Sequence, residues 1–296
     1  MENTKNQILV PIDFSEVAEA AIEHAAQVAK SFDNEINLLH IIEDHFFGNL
    51  FGSKSGRDEL ILEAINSRLE KVAKQVTEKH GVVIKTHVKE GRIYKTIVET
   101  ADELKCDSII MGTNGAHGIE HIIGSNASRV IRHANVPVVI VKEKDFNVEG
   151  YKNIVMPIDL TIESKQKVTW AIRLAKKYDS TIHVVAQQYK DEWVKNREEA
   201  TLNYVGRTLE DAGVKHIIKY FNKDDYPGTP IEDILQYAEE ENTDLILILT
   251  QQNEKDIQEY IIGSNAQRIV NNIGKVPVMT INPVQTGVRS ELWTGM

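Results

Sequence analysis

Hydrophobic residues along the chain alternate between short continuous runs and stripes at helical spacing. In the first half, the short runs predict five buried strands, at 7–12, 36–42, 82–88, 107–111 and 136–141. Stripes at a period of about 3.6 residues predict helices between them, at 16–32, 61–76, 93–104 and 125–133. Ser15 precedes the first helix and is a plausible N-cap, since its hydroxyl can accept from a free amide.

Three segments of the first half recur later in the same order. Residues 8–15 recur as 154–161, residues 122–129 as 261–268, and residues 136–138 as 276–278. This self-similarity indicates a duplicated domain. We therefore predict two domains, at 1–145 and 149–283, followed by a tail at 284–296.

Strands separated by helices pair in parallel, because a tight hairpin cannot connect them. The pattern predicts a doubly wound α/β fold, with two tandem five-stranded sheets covered by helices on both faces. The last strand of each copy is apolar, at 138–141 and 278–281. Since apolar sheet edges favour pairing, we expect the copies to pack as an internal pseudo-dimer. A homodimer of whole chains stays open.

Charge and composition exclude several classes of protein. The chain carries 34 Lys and Arg against 44 Asp and Glu, a net charge of −10, and neither half is basic. This argues against a nucleic-acid or anionic-membrane binder. Cys106 is the single cysteine, so no disulfide can form within the chain. With no secretory leader and no apolar stretch of about 20 residues, we expect a cytoplasmic protein.

A glycine-rich segment after the fourth strand is the main candidate for chemistry. It runs from Gly112 through Gly115 to Gly124-Ser125-Asn126, where a helix begins. Glycines let backbone amides approach a phosphate, and a helix start favours an anion. Asp13, after the first strand, would lie at the same sheet edge and accept from ribose hydroxyls or hold Mg²⁺ through water. A simple tight turn is the alternative interpretation of these glycines.

These motifs together resemble the universal stress protein family. Residues 11–15 match its Pro-x-Asp-Phe-Ser, residues 39–41 its Leu-His-Val, and the glycine segment its Gly-x2-Gly-x9-Gly-Ser/Thr pattern. The resemblance covers both copies and implies a sheet of order 3-2-1-4-5 in each. One departure is that eight residues, not nine, separate Gly115 from Gly124.

The resemblance also implies an ATP site, or one for ADP or AMP, with Mg²⁺ possible. Carried over by position, the first copy's candidate residues are Pro11, Ile12, Ile41 and Met111 around adenine, Asp13 at the ribose or metal, and Gly112, Gly115, Gly124, Ser125 and Asn126 around ribose and phosphates. A second, weaker site would use Ile158, Asp159, Val184, Gly263, Ser264 and Asn265. In that copy Leu249 and Gln252 replace the two loop glycines, so we expect poorer binding.

Three functions remain open. The leading hypothesis is an adenine-nucleotide-binding regulatory protein of the stress response with an unknown protein partner. The second is a slow ATPase or phosphotransfer enzyme in the same crevice, although no catalytic residue is evident. The third is a nucleotide-free interaction module. A metal at His117 and His121 is a weak alternative, since the sequence supplies no third ligand.

Overall fold

The computed structural model describes residues 6–43, 56–113, 124–142, 149–158, 166–188, 190–250, 269–270 and 276–283. The first copy has β1 (Gln7–Pro11), α1 (Glu16–Phe32), β2 (Glu35–Ile42), α2 (Gly56–His80), β3 (Ile84–Glu90), α3 (Ile93–Glu103), β4 (Ser108–Gly112), α4 (Ser125–His133) and β5 (Val138–Val141). The second has β6 (Asn153–Pro157), α5 (Gln166–Tyr178), β7 (Thr181–Gln187), α6 (Glu192–Asp211), β8 (Lys215–Phe221), α7 (Pro230–Glu240), β9 (Leu245–Leu249) and β10 (Val278–Ile281). The predicted alternation of strands and helices is confirmed.

Ten strands form one mostly parallel sheet, of order β3-β2-β1-β4-β5-β10-β9-β6-β7-β8. Pairing is parallel within each copy, whereas β5 and β10 pair antiparallel, with Val139 opposite Met279. The two predicted five-stranded sheets are thus joined into one. The physical reason is that the two apolar last strands satisfy each other's edge hydrogen bonds, which joins the sheets into one.

Apolar side chains on the two faces of the sheet build two cores that both run through the two copies. One core packs under α1, α2, α5 and α6. The other packs under α3, α4 and α7. Alternating residues of a strand feed opposite cores: Val10 enters the first and Leu9 the second. The fold is thus α/β with helices on both faces, as the continuous apolar runs predicted.

Side chains also join the two copies. On the α1 face, His24 Nε2 lies 2.5 Å from the Tyr151 hydroxyl, and burial lowers the pKa of His24 to about 3. The imidazole is therefore neutral at physiological pH. On the other face, the Asn282 amide donates to the carbonyls of Ile131 (2.8 Å) and Ala134 (2.6 Å) at the end of α4. These contacts fix the copies relative to each other.

Because β5 and β10 run antiparallel, the carboxyl ends of the strands point to opposite edges of the sheet in the two copies. Ligands of open α/β sheets bind at carboxyl ends. Any site of the first copy and its counterpart in the second therefore lie at opposite edges of the molecule. Among the residues described above, no helix is long and apolar enough to cross a bilayer.

Candidate functional site

The chain leaves β1 through a turn that is fixed by neighbouring backbone. The Ile12 amide donates to the Leu39 carbonyl at 2.8 Å, and His40 Nδ1 lies 2.8 Å from the Ile12 carbonyl. This contact gives His40 a structural role near the end of β2. Phe14 adopts a positive φ of 62° and stacks beside His40, with ring centres 4.9 Å apart. The turn therefore holds the position of Asp13.

Asp13 is exposed, and its carboxylate is oriented by Ser15. Asp13 Oδ1 accepts from the Ser15 amide (3.0 Å) and hydroxyl (2.6 Å). The Ser15 hydroxyl in turn accepts from the Ala18 amide, so Ser15 is the predicted N-cap of α1. No cluster of three metal-ligating side chains occurs within the described part of the chain. A magnesium ion here would rest mainly on phosphates and water, with Asp13 as one carboxylate.

Gly112, the last residue of β4, lies against the first turn of α1. A Cβ at this position would stand 2.7 Å from Val17 Cγ1 and 3.2 Å from the Val17 carbonyl carbon and oxygen. Real Cβ contacts are essentially never under 3.0 Å. The missing side chain is thus required for close packing of β4 on α1. The sequence analysis explained this glycine by the approach of a ligand or by a tight turn, and did not foresee the contact with α1.

Helix α4 begins with an open N-terminus. The Gly124 amide donates to the Thr113 carbonyl at 2.8 Å, which joins the two ends of the glycine segment. Gly124 is the N-cap but offers no side-chain cap, and the first turn carries no acidic residue. Ser125 is exposed and Asn126 half-buried in that turn. The positive end of the helix dipole is left without a negative group of the helix itself.

The first-copy candidates lie at one edge, but not all on one face of the sheet. Met111 is buried and Ile41 partly buried in the core beneath α3 and α4. Ile12 instead packs into the core beneath α1 and α2. Since these are opposite faces, the side chain of Ile12 does not share a surface with Met111. Gly115 lies outside the described residues.

Beside these residues the structure has a cleft of about 540 Å³ between the starts of α3 and α4. The cleft is lined by Glu43, Arg92, Ile93, Tyr94, Asn126 and Arg129. We call it the α3–α4 cleft. The Gly91 amide donates to the Ile42 carbonyl at 3.0 Å, which brings the start of α3 beside Glu43 at the end of β2. Its volume is in the range of small-molecule sites.

Of the cleft residues, only Asn126 is among the sequence candidates. Arg92 follows Gly91, the first residue after β3, and Arg129 lies one turn into α4. The guanidinium of Arg129 stands 5.2 Å from the centre of the Tyr94 ring, so the two helices share a cation–π contact. The one sequence signal for Arg129 was its place at the end of the repeated segment 122–129.

In the second copy, the first turn after β6 repeats the geometry of β1. The Ile158 amide donates to the Val185 carbonyl at 2.8 Å, as Ile12 does to Leu39. Asp159, Gly263, Ser264 and Asn265 lie outside the described residues. The strand register pairs Pro157 with Val185, as it pairs Pro11 with Leu39, so the counterpart of Ile41 is Gln187.

Val184 is therefore not the structural counterpart of Ile41, although the sequence analysis listed it among the residues of the second site. Val184 is fully buried and enters the core beneath α5 and α6, on the opposite face from the position matching Ile41. The physical reason is the two-residue alternation of a strand: a shift of three positions turns a side chain to the other face. The adenine-lining role assigned to Val184 would fall to Gln187.

At the start of α7, the helix that corresponds to α3, the second copy has interacting charges. Lys223 Nζ donates to the Gly228 carbonyl (2.5 Å) and to Asp233 Oδ2 (3.2 Å), and Gln187 also donates to Asp233 (3.2 Å). Asp233 is fully buried. Helix α7 starts in a capping box, in which Thr229 and Glu232 each bond the other's backbone. The start of α7 is therefore closed by the protein's own groups.

The remaining sequence candidates have structural surroundings or lie outside the described residues. Burial raises the pKa of the Cys106 thiol to about 12, with Asp107 and Asp102 adding to the effect, so the thiol is inert. His183 Nδ1 lies 2.9 Å from the Tyr237 hydroxyl, which gives this buried histidine a structural role. His117 and His121 fall outside the described residues.

Comparison with known proteins gives the family. The family model described as "Universal stress protein family" matches residues 5–142 and again residues 150–282. The chain belongs to the universal stress protein family. The tandem arrangement predicted from the internal repeat is confirmed.

Relatives of single-domain length match about half of this universal stress protein. Universal stress protein MJ0531 of Methanocaldococcus jannaschii is 40% identical over 145 residues, which are 48% of this chain and 85% of the relative. Universal stress protein G of Shigella flexneri is 33% identical over 140 residues, covering 46% and 97%. A universal stress protein structure from Archaeoglobus fulgidus covers 95% of this chain and 99% of its own, with a TM-score of 0.76 at 21% identity. This last likeness concerns the fold alone.

Proposed function

We propose that this universal stress protein binds an adenine nucleotide in its first copy and acts as a regulatory protein of the stress response. The observation that carries the proposal is the α3–α4 cleft. It opens at the carboxyl edge of the first copy, beside the predicted site residue Asn126. In the second copy, the matching helix start has a capping box and lies beside the Lys223–Asp233 ion pair.

The chemistry around the edge suits the parts of a nucleotide. Met111 and Ile41 supply apolar surface for a base on the α3 and α4 face. The open N-terminus of α4, at Gly124 and Ser125, supplies amides and a positive dipole end for phosphates. Asp13, exposed and oriented by Ser15, supplies a carboxylate for ribose hydroxyls or a hydrated Mg²⁺.

Fast catalysis is not part of the proposal. A cradle of backbone amides stabilises bound ATP and the transition state alike, which does not accelerate the chemical step. Asp13 already accepts two hydrogen bonds from Ser15. It is better suited to orienting ribose than to activating water. We expect ATP turnover well below about 1 s⁻¹, the low end of ordinary enzymes.

The broader assignments follow the same proposal. We propose that the domains span 1–145 and 149–283 with a tail at 284–296. We further propose that the β5–β10 join serves as an internal pseudo-dimer, that the protein is cytoplasmic, and that its protein partner reads nucleotide occupancy. A homodimer of whole chains is compatible with this function but not required for it.

Calorimetric titration of the whole chain with ATP tests the proposal. We expect one site per chain. Asn126→Leu places an apolar branched side chain at the cleft and should remove most binding. The matched control, Asn265→Leu in the repeated Gly-Ser-Asn segment, should leave affinity and stoichiometry unchanged. Thermal melts of each variant report folding.

Three results would point elsewhere. Two equivalent sites, or unchanged binding in well-folded Asn126→Leu, would show that the site is misplaced. Absence of bound nucleotide after purification and in titration would favour the interaction module. Single-turnover release of ADP faster than about 1 s⁻¹ would favour the ATPase.

A further inference from the structure

The α3–α4 cleft carries more positive charge than a nucleoside needs. Its lining has two guanidinium groups, Arg92 and Arg129, against one carboxylate, Glu43. Neither arginine forms an ion pair with a carboxylate in the described part of the chain. In a protein with a net charge of −10, unpaired arginines facing one cleft indicate an anionic ligand, since guanidinium groups suit oxyanions.

The two helices that flank the cleft differ from α1, α6 and α7 in how they begin. Helices α1, α6 and α7 each have a side-chain cap and an acidic first turn. Helices α3 and α4 have neither: Arg92 and Gly124 are their N-caps, with no cap hydrogen bond and no acid in the first turn. Both positive helix ends therefore add to the potential of the arginines.

The position of Arg129 is fixed by its neighbours. Its guanidinium lies over the Tyr94 ring, and that ring lies 5.6 Å from the His133 ring. Tyr94 belongs to α3, whereas Arg129 and His133 belong to α4. The cation is thus held between two packed helices, with less side-chain entropy to lose on binding than a free surface arginine.

We infer that the α3–α4 cleft is a phosphate-binding subsite in which Arg92 and Arg129 hold phosphoryl oxygens. The inference rests on the proposed nucleotide site. It adds two arginine side chains to that site and specifies that the ligand is anionic. The ligand class is a diphosphate or longer chain, because two guanidinium groups and two helix ends meet there. The source is either the polyphosphate of the bound nucleotide or free pyrophosphate.

Titrations with three probes separate these parts. Adenosine reports the base and ribose surface, pyrophosphate reports the subsite, and ATP reports both. We expect ATP to bind at least tenfold more tightly than adenosine in the wild-type chain. Arg92→Gln and Arg129→Gln should each weaken ATP and pyrophosphate about tenfold while leaving adenosine unchanged. A merely structural arginine would weaken all three equally.

Two further variants sharpen the test. Glu43→Gln removes the one carboxylate of the cleft and should tighten pyrophosphate about threefold, which loss of structure cannot do. Lys95→Gln on α3 is the matched control. Its ammonium lies 3.6 Å from Glu99 and both side chains are exposed, so no affinity should change. Thermal melts confirm that each variant is folded.

The outcomes separate the subsite from the nucleotide proposal. If adenosine binds but the arginine variants leave ATP and pyrophosphate unaffected, the subsite is wrong and the nucleotide site stands. If pyrophosphate binds through both arginines but adenosine does not bind, the subsite stands and the nucleotide proposal fails. Competition between pyrophosphate and ATP identifies the nucleotide's own phosphates as the source. Simultaneous binding identifies free pyrophosphate.

Discussion

The two copies share a fold but differ at the start of the helix that follows the third strand of each copy. In the first copy, Arg92 is the N-cap residue of α3. Its side chain makes no cap hydrogen bond, and it lines the α3–α4 cleft. In the second, α7 starts in the Thr229 capping box, and Lys223 bridges the Gly228 carbonyl to the buried Asp233. In the first copy, the start of this helix thus carries an arginine that has no carboxylate partner among the described residues. In the second copy, the corresponding region carries a lysine paired with a buried carboxylate.

Under the proposed function, this difference shows how a duplicated site would be lost without loss of fold. Buried polar groups need hydrogen-bond partners, and either a ligand or the protein itself can supply them. The second copy places Asp233 where the first has Thr96, both buried in the first turn of the equivalent helix. The carboxylate recruits Lys223 and Gln187. The partners that a ligand would provide are then built in.

Exchange of the residue that ends the fourth strand should give the largest effect. Gly112→Leu introduces the residue that the second copy has at Leu249. Its Cβ would collide with Val17 Cγ1 and approach the Val17 backbone. Overpacking of this kind costs about 3 kcal/mol. Urea unfolding followed by circular dichroism measures the loss.

The smaller change Gly112→Ala provides the control. Combining it with Val17→Ala removes the closest contact, at 2.7 Å, and should recover part of the lost stability. If Gly112→Leu were as stable as wild type, the tight packing of β4 on α1 would be refuted. The glycine would then be explained by a ligand alone.

Removal of the Lys223–Asp233 ion pair in the second copy should have the next largest effect on stability. Lys223→Met leaves the fully buried Asp233 without its ion pair and should cost roughly 2 kcal/mol. Adding Asp233→Thr, the residue that the first copy has at Thr96, should recover most of that loss. All three tryptophans lie in residues 149–296, so their fluorescence reports unfolding of this copy.

The exposed ion pair of Lys195 and Glu199 serves as the comparison. Its side chains are 51% and 44% exposed, and Lys195→Met should change stability by less than about 0.5 kcal/mol. Equal effects of Lys195→Met and Lys223→Met would mean that the Lys223–Asp233 pair does not close the second copy.

The alternation of strands and helices could be predicted because it depends on local spacing, as in the stripe from Ala18 to Phe32. Pairing of the two last strands was indicated by their apolar sequences. Its register, with Val139 opposite Met279, could not be predicted because it joins residues that are distant in sequence. Arg92 was missed because an arginine at a helix start belongs to no motif. Val184 was misplaced because the register of β7 is set by the ladder between Pro157 and Val185.

A buried glutamate in α6 of the second copy, which has no counterpart in α2 of the first, makes the stability of the protein depend on pH. Counting back four residues from the buried Leu202 and Leu69, Glu198 occupies the position of Ile65 in α2. Burial, with a smaller effect of Glu199, raises the pKa of Glu198 from 4.5 to about 7. The folded state therefore holds this proton more tightly than the unfolded chain, and stability falls as the pH rises from 4.5 to 7.

Glu198→Gln should remove that fall. We expect the variant to match the wild type at pH 4 and to exceed it by roughly 1 kcal/mol at pH 8. The gain is moderate because an ionised glutamate can turn its carboxylate toward water. Urea unfolding across pH 4–8 measures it. A difference between the two proteins that does not vary with pH would assign the effect to packing.

Exchanging the helix starts should give the smallest change in stability. Thr229→Ala removes the side chain that accepts from the Glu232 amide at 3.4 Å and should cost about 0.5–1 kcal/mol. Arg92→Ser gives α3 the hydroxyl cap it lacks and should gain a similar amount. The same variant should weaken pyrophosphate binding, because one of two guanidinium groups is lost. The free energy of unfolding and the pyrophosphate affinity of Arg92→Ser, measured together, test whether Arg92 favours ligand binding at the expense of helix capping. If Arg92→Ser gained stability and kept its affinity, the open start of α3 would have no connection with binding.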